Sequence, residues 1–177
     1  MMGAAPGRPE PSPQPLGGTG PTPKGAPVTS LFNKLHHLCL VVHDIDKTQA
    51  AYEAIGIAPW VEYPPLAEYE ELQVPSKEGF LGLKYRICNL PNIQLQLCQP
   101  SEHRSPQRVH LETKGEGVFH LGFEVPDADA AESEAEHAGL PVKMRGRRTN
   151  RTGFTYYDTA DKAGVILLTR ATNLPGK

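Results

Sequence analysis

Leu35-His36-His37-Leu38-Cys39-Leu40-Val41-Val42-His43-Asp44-Ile45-Asp46 returns 83 residues later as Val118-Phe119-His120-Leu121-Gly122-Phe123-Glu124-Val125-Pro126-Asp127-Ala128-Asp129. The correspondence runs on to Gly56-Ile57 against Gly139-Leu140. In each copy a short apolar strand carries an aligned histidine, His37 or His120, and an Asp-rich turn then leads into a helix. Repetition on this scale means two copies of one supersecondary unit, neither able to bury its apolar face alone. Stacking the copies brings equivalent residues together, so the paired histidines read as a site.

Outward from the repeat, the first copy reads as a strand over 35–42, a helix over 46–55 capped from Asp44 and stopped by Gly56, and strands over 60–63, 82–89 and 93–99. Residues 66–81 read as a loop with a helical turn, and 100–116 as a polar connector. The second copy repeats the order, with a strand over 118–125, a helix over 127–138 stopped by Gly139, and strands over 142–148, 153–158 and 164–170. The expected fold is α+β: two βαβββ modules, 31–100 and 117–172, forming a mixed-sheet cup with helices on its outer face.

Alternation assigns the faces. Leu38, Leu40 and Val42 suit packing beneath a helix, and His37, Cys39 and Val41 face the cup; His36 falls on the helix side. In the later strand Phe119, Leu121, Phe123 and Val125 form the apolar side, with His120, Gly122 and Glu124 opposite. Gln94, Gln96 and Cys98 share a face, as do Ile166, Leu168 and Arg170 in the last strand. A mid-strand glutamine between leucines is costly to bury unpartnered, so Gln96 requires a hydrogen bond or a ligand.

The formal charge of −2 and a pI near 6.4 leave no broad electrostatic footprint for nucleic acid or an anionic membrane. No apolar run approaches the roughly 20 residues of a membrane-spanning helix. Three cysteines without metal-type spacing read as reduced structural thiols, and the expected location is cytoplasmic. Residues 1–30 hold eight prolines and six glycines and read as a disordered tail.

The segments LHHLCLVV, LQLCQP, HRSPQRV, GVFHLGFEV and YYDTADKAGVILLTR resemble, in order and spacing, the vicinal oxygen chelate superfamily of glyoxalases, bleomycin-resistance proteins and extradiol dioxygenases. Methylmalonyl-CoA epimerase-like members give the closest pattern. The resemblance implies a divalent metal (Zn, Co, Ni or Mn) held by His37, Gln96 and His120, and a homodimer. The family's fourth ligand, normally a glutamate, is here Leu168, which weakens that cation site, and no acid matches the epimerase base. Glu124 is on the cup face but near a strand end, where it meets solvent; Tyr157 is another polar neighbour.

Two readings stay open. One is a metal-assisted isomerase, epimerase or lyase acting on a small carbonyl or acyl-thioester substrate, with no catalytic residue yet identified. The other is a metal-free cup, either a binding protein of the resistance type or a metal-independent cyclase or isomerase. Substrate contacts are expected from Gln94, Cys98, Tyr157 and Leu168. Arg145 and Arg147, in a cluster with Arg148 and Arg151, suit an anionic group, or else form a solvated loop.

Overall fold

The computed structural model describes residues 31–172; the tail expected over 1–30 lies outside them. The repeat sets the chain's punctuation. Asp44 and Asp127 are equivalent N-caps, accepting from Lys47 N at 2.9 Å and from Asp129 N and Ala130 N at 2.8 and 2.9 Å. Such a cap stabilises a helix by about 1 kcal/mol. Gly56 and Gly139 end the two helices at φ +89° and +75°, a backbone region that favours glycine.

The first half runs β1 (Leu35–Val41), α1 (Ile45–Ala54), β2 (Trp60–Glu62), β3 (Glu71–Gln73), α2 (Lys77–Leu81), β4 (Lys84–Asn89) and β5 (Gln94–Gln99). The helix α3 (Pro106–Lys114) leads to β6 (Gly117–Glu124), α4 (Ala128–His137), β7 (Val142–Arg147), β8 (Gly153–Tyr157), α5 (Ala160–Ala163) and β9 (Ile166–Ala171). One open nine-stranded mixed sheet has the order β2-β4-β5-β1-β6-β9-β8-β7-β3. Parallel pairs β1/β5 and β6/β9 flank the antiparallel β1/β6 seam, so the halves are arranged alike about that seam.

The helices α1 and α4 cover the outer face. Ile45 of α1 joins Val42, Trp60, Cys88 and Leu97 in one cluster, and Ala128, Ala131 and Ala135 of α4 pack with Val125, Tyr157 and Ala171 in another. The concave face holds the third cluster, with Cys39, Val41, Phe80, Cys98, Phe154 and Leu168 among its members. No helix among the described residues is long and apolar enough to cross a membrane.

Two segments depart from the sequence reading. The polar connector contains α3, capped by Ser105 with Pro106 in its first turn, and Leu111 reaches the concave cluster. The expected 66–81 loop carries a 3₁₀ turn at Leu66–Glu68, β3 and α2. Its strand β3 crosses to the other half and pairs antiparallel with β7. Arg148–Glu68, Arg151–Glu71 and Thr149–Glu70 contacts fasten this strap to the β7–β8 turn. The partners lie 79–80 residues apart, a separation that local pattern does not reveal.

Candidate functional site

The β1/β6 register opposes His37 to Gly122 and Cys39 to His120, so the two histidines stand diagonally across the seam. Their Nε2 atoms lie 2.9 Å apart, and the rings meet edge to face. Both are buried, at 2% and 1% exposure. The register slips twice, leaving His36 as an extra residue on β1 and Phe119 on β6. A bulge re-aims its side chain. His36 therefore turns toward its neighbour, Nδ1 to Nδ1 at 2.9 Å, instead of staying on the helix side. Phe119 likewise joins the concave cluster.

Gln96, 3% exposed, donates from its amide nitrogen to Gln94 Oε1 at 2.7 Å, and Gln94 in turn donates to Asn89 Oδ1 at 2.8 Å. This chain fixes the Gln96 amide and leaves its carbonyl oxygen for the cup. Gln94 thus orients Gln96 and is not in the cavity wall. His37, Gln96, His120 and Leu168 line one cavity of about 30 Å³, room for a water or two. Tyr63, Leu66 and Tyr85 close it on one side and also line an adjoining open groove of about 550 Å³. A larger ligand therefore has to displace these side chains.

Besides Gln94, four expected substrate contacts lie outside the cavity wall. Cys98 is fully buried in the concave cluster, outside the cavity wall. Tyr157 points to the α4 side, its hydroxyl 2.9 Å from Thr169; strand parity puts Tyr156 in the cup instead. Arg145 pairs with Glu132 of α4, and Arg147 is fully buried against Asp129 and Glu132. Glu124 gives its carboxylate to Lys34 at 2.8 Å. The side chain the sequence reading passed over is Arg170, two residues beyond Leu168 on the same face of β9. That spacing was the available signal.

Burial, with Arg170 second, depresses His120 to a pKa of about 3; burial, then His120, His36 and Arg170, pushes His37 well below its ordinary value. Both imidazoles are neutral at pH 7. Burial holds Tyr85 and Tyr156 well above the usual phenol range, so they remain hydroxyl donors. In the cation-free protein an unfolded chain protonates His120 below about 6.5, whereas the fold resists until about 3, so stability falls as pH falls through that window. One such histidine is worth about 2 kcal/mol between about pH 7 and pH 5. Thermal melts should show a steeper acid loss for the parent than for His120→Gln; equal slopes would refute the assignment.

The two Nε2 atoms, 2.9 Å apart, are close enough that one divalent ion would be held by both. His36 supplies an outer partner for His37 Nδ1, as ligating imidazoles usually have, whereas His120 Nδ1 is buried with none among the described residues. With the Gln96 oxygen, the set is two imidazoles and one amide. No group of three or more His, Cys, Asp or Glu among the described residues is arranged for a metal ion. The residues fit a three-donor site lacking a carboxylate.

Residues 36–157 match the glyoxalase/bleomycin resistance protein/dioxygenase superfamily. The chain belongs to that superfamily. Its fold is similar to that of methylmalonyl-CoA epimerase from Mycobacterium tuberculosis, with a TM-score of 0.60 at 20% identity over 84% of this chain and 93% of that one. A Streptomyces coelicolor methylmalonyl-CoA epimerase variant in complex with 2-nitronate-propionyl-CoA gives 0.61 at 23% identity, over 80% and 98%. A hypothetical protein from Bacillus halodurans gives 0.59 at 15%, over 81% and 97%. No curated protein sequence matches the chain. At these identities the likeness is one of fold.

Proposed function

We propose that the chain is a cytoplasmic, homodimeric isomerase, epimerase or lyase that holds one divalent cation through His37, Gln96 and His120 and acts on a small carbonyl or acyl-thioester compound. The observation that carries this reading is the 2.9 Å approach of two buried Nε2 atoms on neutral rings. When bound, the cation supplies Lewis-acid polarisation of a substrate oxygen. The chain's own part is separate. Burial keeps both imidazoles neutral, the Gln94 contact fixes the Gln96 amide, and the narrow cavity leaves room for only a water or two. Tyr85 and Tyr156 offer hydroxyl protons to a polar ligand. The methylmalonyl-CoA epimerases among the structural neighbours support the acyl-thioester class. Only the acyl end of such a molecule suits this cavity. Three free, buried thiols are in keeping with a reducing compartment.

One observation favours the alternative, a metal-free binding protein or metal-independent isomerase: Leu168, 2% exposed, takes the fourth place, and no acid among the described residues lines the cavity. Elemental analysis of protein purified without a histidine tag, after incubation with Zn²⁺, Co²⁺, Ni²⁺ or Mn²⁺, separates the two. Close to one cation per chain, lost in His120→Ala, is the expected result. A parent protein that retains none would overturn the cation reading and leave the metal-free cup.

A further inference from the structure

Arg170 and Arg147 are solved in opposite ways. Arg147, with no exposed surface, directs its guanidinium at two carboxylates, a hydroxyl and three carbonyl oxygens. Among the described residues Arg170 makes one hydrogen bond, from Nη1 to the Tyr63 hydroxyl at 2.8 Å, and its guanidinium lies 5.4 Å from the centre of that ring. A guanidinium has five N–H donors, so most of its capacity is unused. Among the described residues no carboxylate pairs with it. Its cross-strand neighbour Glu124 is the obvious candidate, and that carboxylate goes to Lys34 and Thr172.

The rest of the cup offers it nothing. Among the described residues the lining is two histidines, a glutamine, aromatic rings and leucines, with Arg170 the one cationic side chain and no acid. A half-buried cation facing a narrow cavity without a counter-ion is costly, and a planar fork of donors suits a carboxylate in two-point contact.

We propose that Arg170 is the residue that selects the ligand of the cup, and that the ligand carries a carboxylate or a carboxylate-like anion bound against its guanidinium, with Tyr63 as the hydroxyl that holds the arginine until the anion arrives. This rests on the reading of the cup as a small-molecule site and names the chemical class it takes. The negative charge missing from the protein at Leu168 is then brought by the ligand.

Propionate and propionamide have nearly the same shape and differ in charge, which makes them a fitting pair of probes. Binding is followed by NMR through the arginine Nε–H and histidine ring signals, in chelator-treated and in Zn²⁺-loaded protein. Propionate should shift Arg170 and His120 signals saturably, and propionamide should bind about tenfold more weakly or worse. Arg170→Met should remove that preference while leaving cation stoichiometry unchanged. Arg170→Lys should keep the preference for the anion at reduced affinity. Equal binding of the two probes to the parent, or undiminished propionate binding by a folded Arg170→Met protein, would overturn the assignment. Cation stoichiometry is measured separately, so a failed cation site and a failed anion site give different results.

Discussion

Gly122→Ala is expected to abolish cation retention while the protein stays folded. A Cβ at this position would overlap the His37 imidazole, meeting its Cε1, Nδ1 and Nε2 atoms. The obstacle is the far end of a side chain, so the ring and not the strand has to move. Overpacking of this kind costs about 1–3 kcal/mol. The displaced ring loses its approach to His120, and the two-imidazole site is broken. Removing even an outer partner of a ligand weakens a metal site about 10–100-fold; displacing the ligand itself should match His37→Ala. Glycine is otherwise a poor strand residue, costing roughly 0.5–1 kcal/mol relative to alanine. Its repeat mate Cys39 sits opposite His120, so the seam is asymmetric where His37 needs the space. The test pairs far-UV circular dichroism with elemental analysis after Zn²⁺ loading. A folded Gly122→Ala protein that retains its cation as tightly as the parent would mean that His37 does not ligate.

The difference between this position and its surroundings shows where the sequence was legible. The repeat exposes β1, α1, β6 and α4, because the same caps, stops and apolar periods recur at one offset. Strand parity then puts His37, Gln96, His120 and Leu168 around one cavity. Parity fails at bulges, which shift a strand by one residue without any sequence mark; His36 and Phe119 were turned to the wrong face for that reason. Tyr156 and Tyr157 exchanged places because the boundary of β8 sets the parity of two adjacent tyrosines. The strap over 66–81 is hidden by distance, since β3 finds its partner in the other half. The arginine cluster stays open between two readings for a different cause. A run of guanidinium groups looks like an anion site when its acidic partners, Asp129 and Glu132, lie on a helix that sequence alone does not fold onto it.

Those partners make Arg147 the site of the second large effect. Its Nε bonds Asp129 at 2.9 Å, and its Nη2 bonds Glu132 at 2.7 Å and Thr155 at 3.0 Å. The carbonyl of Phe154 accepts from Nη1 at 2.6 Å, so the side chain joins α4 to β7 and β8. Arg147→Met keeps an unbranched stem but leaves Glu132, 13% exposed, and buried carbonyl oxygens without this partner. Breaking one side of a buried pair costs about 3–5 kcal/mol, mostly because the other charge remains. Arg145 and Thr155 still reach Glu132, and Arg151 still reaches Asp129, which places the loss toward the lower end. In urea unfolding, Arg147→Met should lose about 3 kcal/mol, while Arg147→Met with Glu132→Leu should lose less than the single change, since no carboxylate is stranded at position 132. Cation stoichiometry per folded molecule should not change, because Arg147 lies on the helix side of the sheet and His37 and His120 on the other. A folded Arg147→Met protein with full stability and an impaired cup would reverse this assignment and return Arg147 to the ligand.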